Sequence, residues 1–260
     1  MCGRFVSARE RQALIDEFSV ERDEVTSELA LDWNVAPTDS IYAVLTRTPR
    51  DQRDGPLARE LHTVRWGLIP SWAKDPFKGG REGKSTVGRL INARAETVTA
   101  KPSFRSAFAR RRCLIPADGY YEWRTVASPD GGKPRKQPYF IHRADGTGMA
   151  FAGLYELWRD QSLPSDHPKA WLWTATIITT TATDEVGWVH DRMPMVISPD
   201  RWAEWLDPAP ADADRLLHAM APASADALET RPVSTAVNSV RNDGPDLIAP
   251  VTEEVELGNA

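Results

Sequence analysis

Apolar positions recur along the chain at two periods, and the shorter one dominates. Runs rich in β-branched and aromatic residues at Ile41–Thr46, Leu61–Trp66, Arg112–Pro116, Tyr120–Trp123, Tyr139–His142, Met149–Tyr155 and Trp171–Thr180 predict short strands. The helical period is confined to four stretches. Ser7 to Phe18 places Leu14, Ile15 and Phe18 on one face, with Ser7 and Glu10 spaced as a capping box. A second helix starts in the Ser103–Arg110 stretch, with Phe104, Ala107 and Phe108 turned inward and Arg105 outward. Ser198-Pro199 opens a third, burying Trp202, Trp205 and Leu206, and Asp212 opens a fourth that packs Leu216, Leu217 and Met220. Pro49–Pro56, Lys78–Gly88, Ser128–Pro138 and Asp160–Lys169 read as loops. Strands without regular alternation with helices predict an α+β fold, an antiparallel or mixed sheet curling into a barrel with peripheral helices. No internal repeat or long linker divides the chain, so one domain over residues 1–260 is expected, with its core at about 2–250.

Composition agrees with a folded protein: 41% hydrophobic residues, 27% charged and ten Trp. No apolar run approaches the roughly 18 residues of a membrane span, and the N-terminus lacks the apolar stretch of a secretory signal. Two cysteines, Cys2 and Cys113, are too few for a disulfide framework or a zinc site. A reduced cytoplasmic protein with no metal and no cofactor is expected. The net charge of −5 hides a division along the chain. Residues 62–143 hold 17 Lys and Arg against 6 Asp and Glu, a balance of +11; residues 200–260 hold 4 against 12, a balance of −8. That division suits either a basic face meeting phosphates or charged loops in solvent.

Gly79-Gly-Arg-Glu-Gly83-Lys84-Ser resembles a phosphate loop, but Lys78 stands where the first glycine is needed and no apolar strand precedes it. Metalloprotease, serine-hydrolase and dinucleotide signatures are absent from the sequence. Reactive residues gather instead in Met1-Cys2-Gly3-Arg4-Phe5, Ile91-Asn92-Ala93-Arg94-Ala95-Glu96-Thr97, Asp118-Gly-Tyr-Tyr-Glu122-Trp123 and Val189-His190-Asp191-Arg192-Met193-Pro194. Trp66-Gly-Leu-Ile-Pro-Ser-Trp72 reads as an exposed loop with two indoles. Each segment alone has an ordinary structural reading.

Taken in order, with Trp33-Asn34-Val-Ala-Pro37-Thr38, Cys113-Leu-Ile-Pro-Ala-Asp-Gly119 and Pro232-Val-Ser-Thr-Ala-Val-Asn238, they closely resemble the SOS response-associated peptidase family of abasic-site processing proteins. The resemblance covers Cys2 to about Pro250. It implies one α+β domain around a barrel-like core, single-stranded DNA containing abasic sites as partner, and a monomer that associates with the nucleoid when bound. It implies crosslinking through Cys2, assisted by Asn92, Glu122 and His190. Phosphate contacts fall to Arg4, Arg94 and Arg192, and Asn34 is a further DNA-binding residue. A further basic contact falls to Lys101 or Arg105, and base stacking to Trp66 and Trp72.

The chemistry gives a reason for each position. Once Met1 is removed, Cys2 presents an α-amine and a thiol on adjacent carbons. An α-amine has a pKa near 8, so a neutral fraction exists at neutral pH. It attacks the aldehyde of a ring-opened abasic sugar, and the thiol closes on the imine to give a thiazolidine, an intramolecular step favoured by high effective molarity. Glu122, flanked by Tyr121 and Trp123 in an apolar setting that raises its pKa, would move protons as water leaves. His190 would stabilise the sugar oxygen as the ring opens. Asn92 would orient the thiol or the sugar. Two other readings use the same residues. One is a cysteine peptidase with Cys2, His190 and Glu122, acting on Met1 or another substrate. The other is a non-covalent single-strand binding module.

Overall fold

Side chains in a strand alternate between its two faces, and that alternation sorts the apolar residues of this protein into separate layers. The computed structural model describes residues 2–49, 52, 55–74, 76–77, 90–127, 132–209, 212, 216–217 and 228–251. In chain order the elements are β1 (Phe5–Ser7), α1 (Arg11–Glu17), β2 (Arg22–Asp23), β3 (Asp32–Val35), β4 (Ser40–Arg47), β5 (Ala58–Trp66) and β6 (Asn92–Arg94). There follow α2 (Arg105–Arg110), β7 (Arg112–Ala117), β8 (Gly119–Val126), β9 (Arg135–Arg143), β10 (Met149–Arg159) and β11 (Trp171–Thr181). The last are α3 (Asp184–Gly187), β12 (Arg192–Pro194), α4 (Trp202–Leu206) and β13 (Leu228–Pro232).

Five strands close into a barrel. The antiparallel path runs β11–β10–β7–β4–β5, and a parallel pairing of β5 with β11, Arg65 opposite Thr174 and Trp66 opposite Ala175, completes the ring. On β4, Ile41, Ala43 and Leu45 join one apolar cluster while Tyr42 and Val44 join another. The second cluster holds Leu14 and Phe18 of the α1 region, Phe108 of α2 and Trp205 of α4, so it is the outside of the barrel under its helices. The first cluster is therefore the interior: Val64, Trp66, Cys113, Ile115, Phe151, Tyr155, Ala175 and Ile177.

A second sheet, β13-β9-β8-β1-β3, covers one end. Its Phe5, Tyr120 and Ile141 join the barrel interior, and Val6, Tyr121 and Phe140 pack on its other face against Val233 and Val237. The α+β barrel with peripheral helices is as expected, in one domain. Among the described residues no helix is long and apolar enough to cross a membrane.

Several local expectations change. The first helix begins at Arg11, because Ser7 pairs with Asp32 in the β1–β3 ladder; its N-cap, Glu10, makes no side-chain cap bond. The loop expected to end at Pro138 gives way to β9 from Arg135. The second and third helices bury the expected residues, with α4 entered through a 3-10 turn, Pro199–Arg201. The whole Lys78–Gly88 loop, with the phosphate-loop-like segment in it, and Met220 lie outside the described residues.

Candidate active site

The chain start is held in one end of the barrel. Phe5 packs edge-on against Trp66, ring centroids 5.2 Å apart, and against Phe151 at 6.0 Å. Cys2, three residues earlier, is buried in the interior cluster. Its Sγ lies 4.0 Å from the carbonyl oxygen of Arg4. Burial, and then the charge of Glu122, push the Cys2 thiol well above the ordinary thiol range, so it rests protonated.

Asn92 reaches Cys2 from β6. That short strand runs parallel to β11, with Asn92 opposite Ile177. Asn92 Nδ2 donates to the Cys2 carbonyl at 2.7 Å. The preceding carbonyl, that of Ile91, accepts from the Ile177 amide and from Trp66 Nε1, each at 3.0 Å. One indole thus braces both Phe5 and the strand that presents Asn92.

Glu122 is on β8, almost fully buried at 3% exposure. In a strand its immediate neighbours point away. Tyr121 and Trp123 accordingly occupy the opposite face, where Tyr121 Oη donates to the Trp33 carbonyl at 2.8 Å. The expected Tyr121–Trp123 lining of Glu122 is therefore corrected: the residue sharing its face is Tyr120, fully buried with Cys2 in the interior cluster.

His190 follows α3. The adjoining Trp188 lies edge-on to Tyr139 at 5.0 Å, and Tyr139 is the cross-strand partner of Glu122. The His190 Nδ1 accepts the Arg192 amide at 3.0 Å and also stands 3.0 Å from the Asp191 carboxylate. A nitrogen accepting an N–H bears no proton for a carboxylate. The backbone bond is the more persistent of the two, because the Asp191 side chain is 87% exposed. With Nδ1 accepting that bond, Nε2 is the ring nitrogen that can act as a donor.

The expected DNA-contacting residues divide in two. Arg94, Lys101 and Arg105 are exposed, and Trp72 is 65% exposed beside an apolar groove of about 380 Å³ lined also by Leu68, Pro70, Ala73, Leu90 and Ser103. The other four are engaged within the chain. Trp66 is fully buried with its N–H taken, which corrects the expectation that it stacks on a base. Asn34 is buried and donates to the carbonyls of Ser239 at 3.0 Å and Asn242 at 2.8 Å. Half-buried Arg4 donates to Asn34 Oδ1 at 2.7 Å and to the Val237 carbonyl at 2.9 Å. Arg192 pairs with Glu96 through both guanidinium nitrogens and donates to the Thr179 carbonyl at 2.7 Å. These side chains tie Arg4 and Asn34 to the 237–242 segment and hold β6 and the turn after His190.

Sequence reasoning missed Tyr120, whose signal was its two-residue spacing from Glu122. It also missed Arg124, two residues beyond Glu122, which lies 5.1 Å over the exposed Trp188 ring. At the other end of the barrel it missed a second polar cluster. There His62 Nε2 meets Glu60 Oε2 at 2.7 Å, Arg47 Nε lies 3.8 Å from the same oxygen, and His62 stacks on Trp173 at 4.4 Å. Among the described residues no group of three or more His, Cys, Asp and Glu is placed to hold a metal ion.

Residues 1–240 match the SOS response associated peptidase (SRAP) family. The chain is 38% identical over 248 residues to the abasic site processing protein YoqW of Bacillus subtilis, covering 95% of this chain and 99% of that protein. It is 32% identical to the abasic site processing protein YedK of Escherichia coli, covering 96% and 100%. It is 33% identical to the abasic site processing protein HMCES of Gallus gallus, covering 87% and 67%. A crystal structure of a protein from Bacteroides thetaiotaomicron superposes with a TM-score of 0.75 at 22% identity, over 96% of this chain and all of that one.

Proposed function

Because the chain belongs to the SOS response associated peptidase family, we propose that it processes abasic sites in single-stranded DNA by forming a thiazolidine through Cys2 after loss of Met1. The observation that bears the reading is the burial of Cys2 beside Glu122 and Asn92 in the mouth of a rigid barrel. The neutral amine of Cys2 adds to the C1′ aldehyde of the opened sugar. The resulting carbinolamine loses water, with the Glu122 carboxylate relaying protons from the nitrogen to the departing hydroxyl. The thiol then adds to the imine carbon, and its proton passes through Glu122 to the ring nitrogen. Bonds C1′–N and C1′–S form, the C1′–O bond breaks, and one water is released.

A resting thiol favours this order. A cysteine peptidase needs a thiolate, stabilised by a lowered pKa; here burial and Glu122 act in the opposite sense. In the amine-first sequence the thiol reacts last, against an electrophile already tethered to it, where proximity compensates for a high pKa. Asn92 holds the Cys2 carbonyl so that amine and thiol face the same carbon, and His190 donates from Nε2 to the sugar oxygen. Exposed Arg94, Lys101 and Arg105 supply phosphate contacts, and Trp72 with its groove supplies a stacking surface.

An oligonucleotide with one abasic site, incubated with the protein and run under denaturing conditions, tests the proposal. A covalent species is expected with abasic single strands and none with intact strands. A complex that always dissociates on denaturation would leave the non-covalent binding reading.

A further inference from the structure

We propose that the Tyr120 hydroxyl is a hydrogen-bond donor reserved for the oxygen on C1′ of the bound sugar. The inference rests on the abasic-site reading above. Tyr120 is fully buried, and its Oη has no hydrogen-bond partner among the described residues. A buried hydroxyl without a partner is costly, and native interiors rarely keep one. Phenylalanine would fill the same space without that cost. The neighbouring tyrosine shows the usual outcome: Tyr121 Oη is satisfied by the Trp33 carbonyl at 2.8 Å.

The position says what the hydroxyl waits for. Tyr120 shares the face of β8 with Glu122, stands opposite Phe5 in the β1–β8 ladder, and packs in the same interior cluster as Cys2. Its ring is fixed edge-on against Phe151 at 6.1 Å. A sugar whose C1′ reaches the Cys2 amine therefore brings its C1′ oxygen into the region that Tyr120 and Glu122 border. Burial above all holds the phenol protonated. Tyr120 therefore donates a hydrogen bond without transferring its proton. The bond polarises the aldehyde toward the amine and then supports the carbinolamine oxygen, while proton movement stays with Glu122. Tyr120 is in this sense a binding residue of the reacting centre.

The substitution Tyr120→Phe removes one oxygen and nothing else. Saturating rates of adduct formation are expected to fall about tenfold, the scale of one lost hydrogen bond. The DNA concentration giving half the maximal rate should stay the same, because phosphates and bases are held elsewhere. Thermal stability should be unchanged or higher, since an unmet hydroxyl is gone. Tyr121→Phe is the control: it strands the Trp33 carbonyl, so it should lower the melting temperature and leave the rate alone. Equal rates for Tyr120→Phe and the unmodified protein overturn the inference, whatever happens to stability. No adduct from the unmodified protein overturns the abasic-site reading and this inference with it.

Discussion

At the end of the barrel around Glu60, polar groups are turned toward one another. Glu60 meets His62 and Arg47, and His62, Trp173 and Tyr155 stack ring on ring. At the end around Cys2, polar groups are equally buried, but the thiol and the Tyr120 hydroxyl are held apart from such closure. The Cys2 sulfur lies 4.0 Å from the Arg4 carbonyl oxygen, Tyr120 keeps a hydroxyl with no partner among the described residues, and the charge of Glu122 raises the thiol. The bonds at this end serve positioning: Asn92 to the Cys2 carbonyl, Trp66 to the Ile91 carbonyl, Arg192 to Glu96. Buried polar groups that satisfy each other contribute stability; those left poised store capacity for a ligand, as strained or unpaired groups do at functional sites.

Exchanging one carboxylate at each end separates the two roles. Glu60→Gln removes the charge that Arg47 and His62 both face, and should cost on the order of 3 kcal/mol of stability. Its adduct formation per folded molecule should be unchanged; a loss of rate at constant stability would mean that the two ends communicate. Glu122→Gln should do the reverse. Its melting temperature should hold or rise, while adduct formation slows about 10²-fold, the scale of a lost acid–base group. By microscopic reversibility, transfer of the adduct to excess competitor abasic DNA should slow alike. A depressed melting temperature with both rates intact would make Glu122 a structural residue like Glu60. The smallest effect belongs to the rim. Arg94→Ala should reduce the log–log salt slope of single-strand binding by about 0.7, one phosphate contact. An unchanged slope would remove Arg94 from the DNA path.

Much of this division is written in strand parity. The seven long strands are visible as β-branched and aromatic runs, and all seven form. Trp66 belongs to the inward series Glu60, His62, Val64, Trp66 on β5, so its burial follows from alternation, whereas Trp72, beyond the strand end, stays exposed. Parity also sets Tyr121 and Trp123 on the face opposite Glu122, and puts Tyr120 beside it. The segments that hold the site together are less legible. β6, β12 and β1 have three residues each, too few for a period, and exist because β11, β8 and β3 offer them ladders. Barrel closure depends on a parallel β5–β11 contact between residues more than a hundred positions apart, which no local pattern encodes. The basic stretch misleads in part for the same reason. Arg112 is buried, donating to the Trp205 and Phe108 carbonyls at 2.8 and 2.7 Å, so its charge holds helix ends and not phosphates. The motif residues were legible by resemblance, but which of them touch Cys2 was not.

The central claim is that Cys2 reacts through both its amine and its thiol. Intact mass of the protein before and after reaction with an abasic oligonucleotide tests it most directly. The account predicts a free protein lacking Met1, a denaturation-resistant adduct equal to protein plus DNA less one water, and no stable adduct from Cys2→Ser. A reactive protein that retains Met1, or a stable adduct from Cys2→Ser, would contradict it.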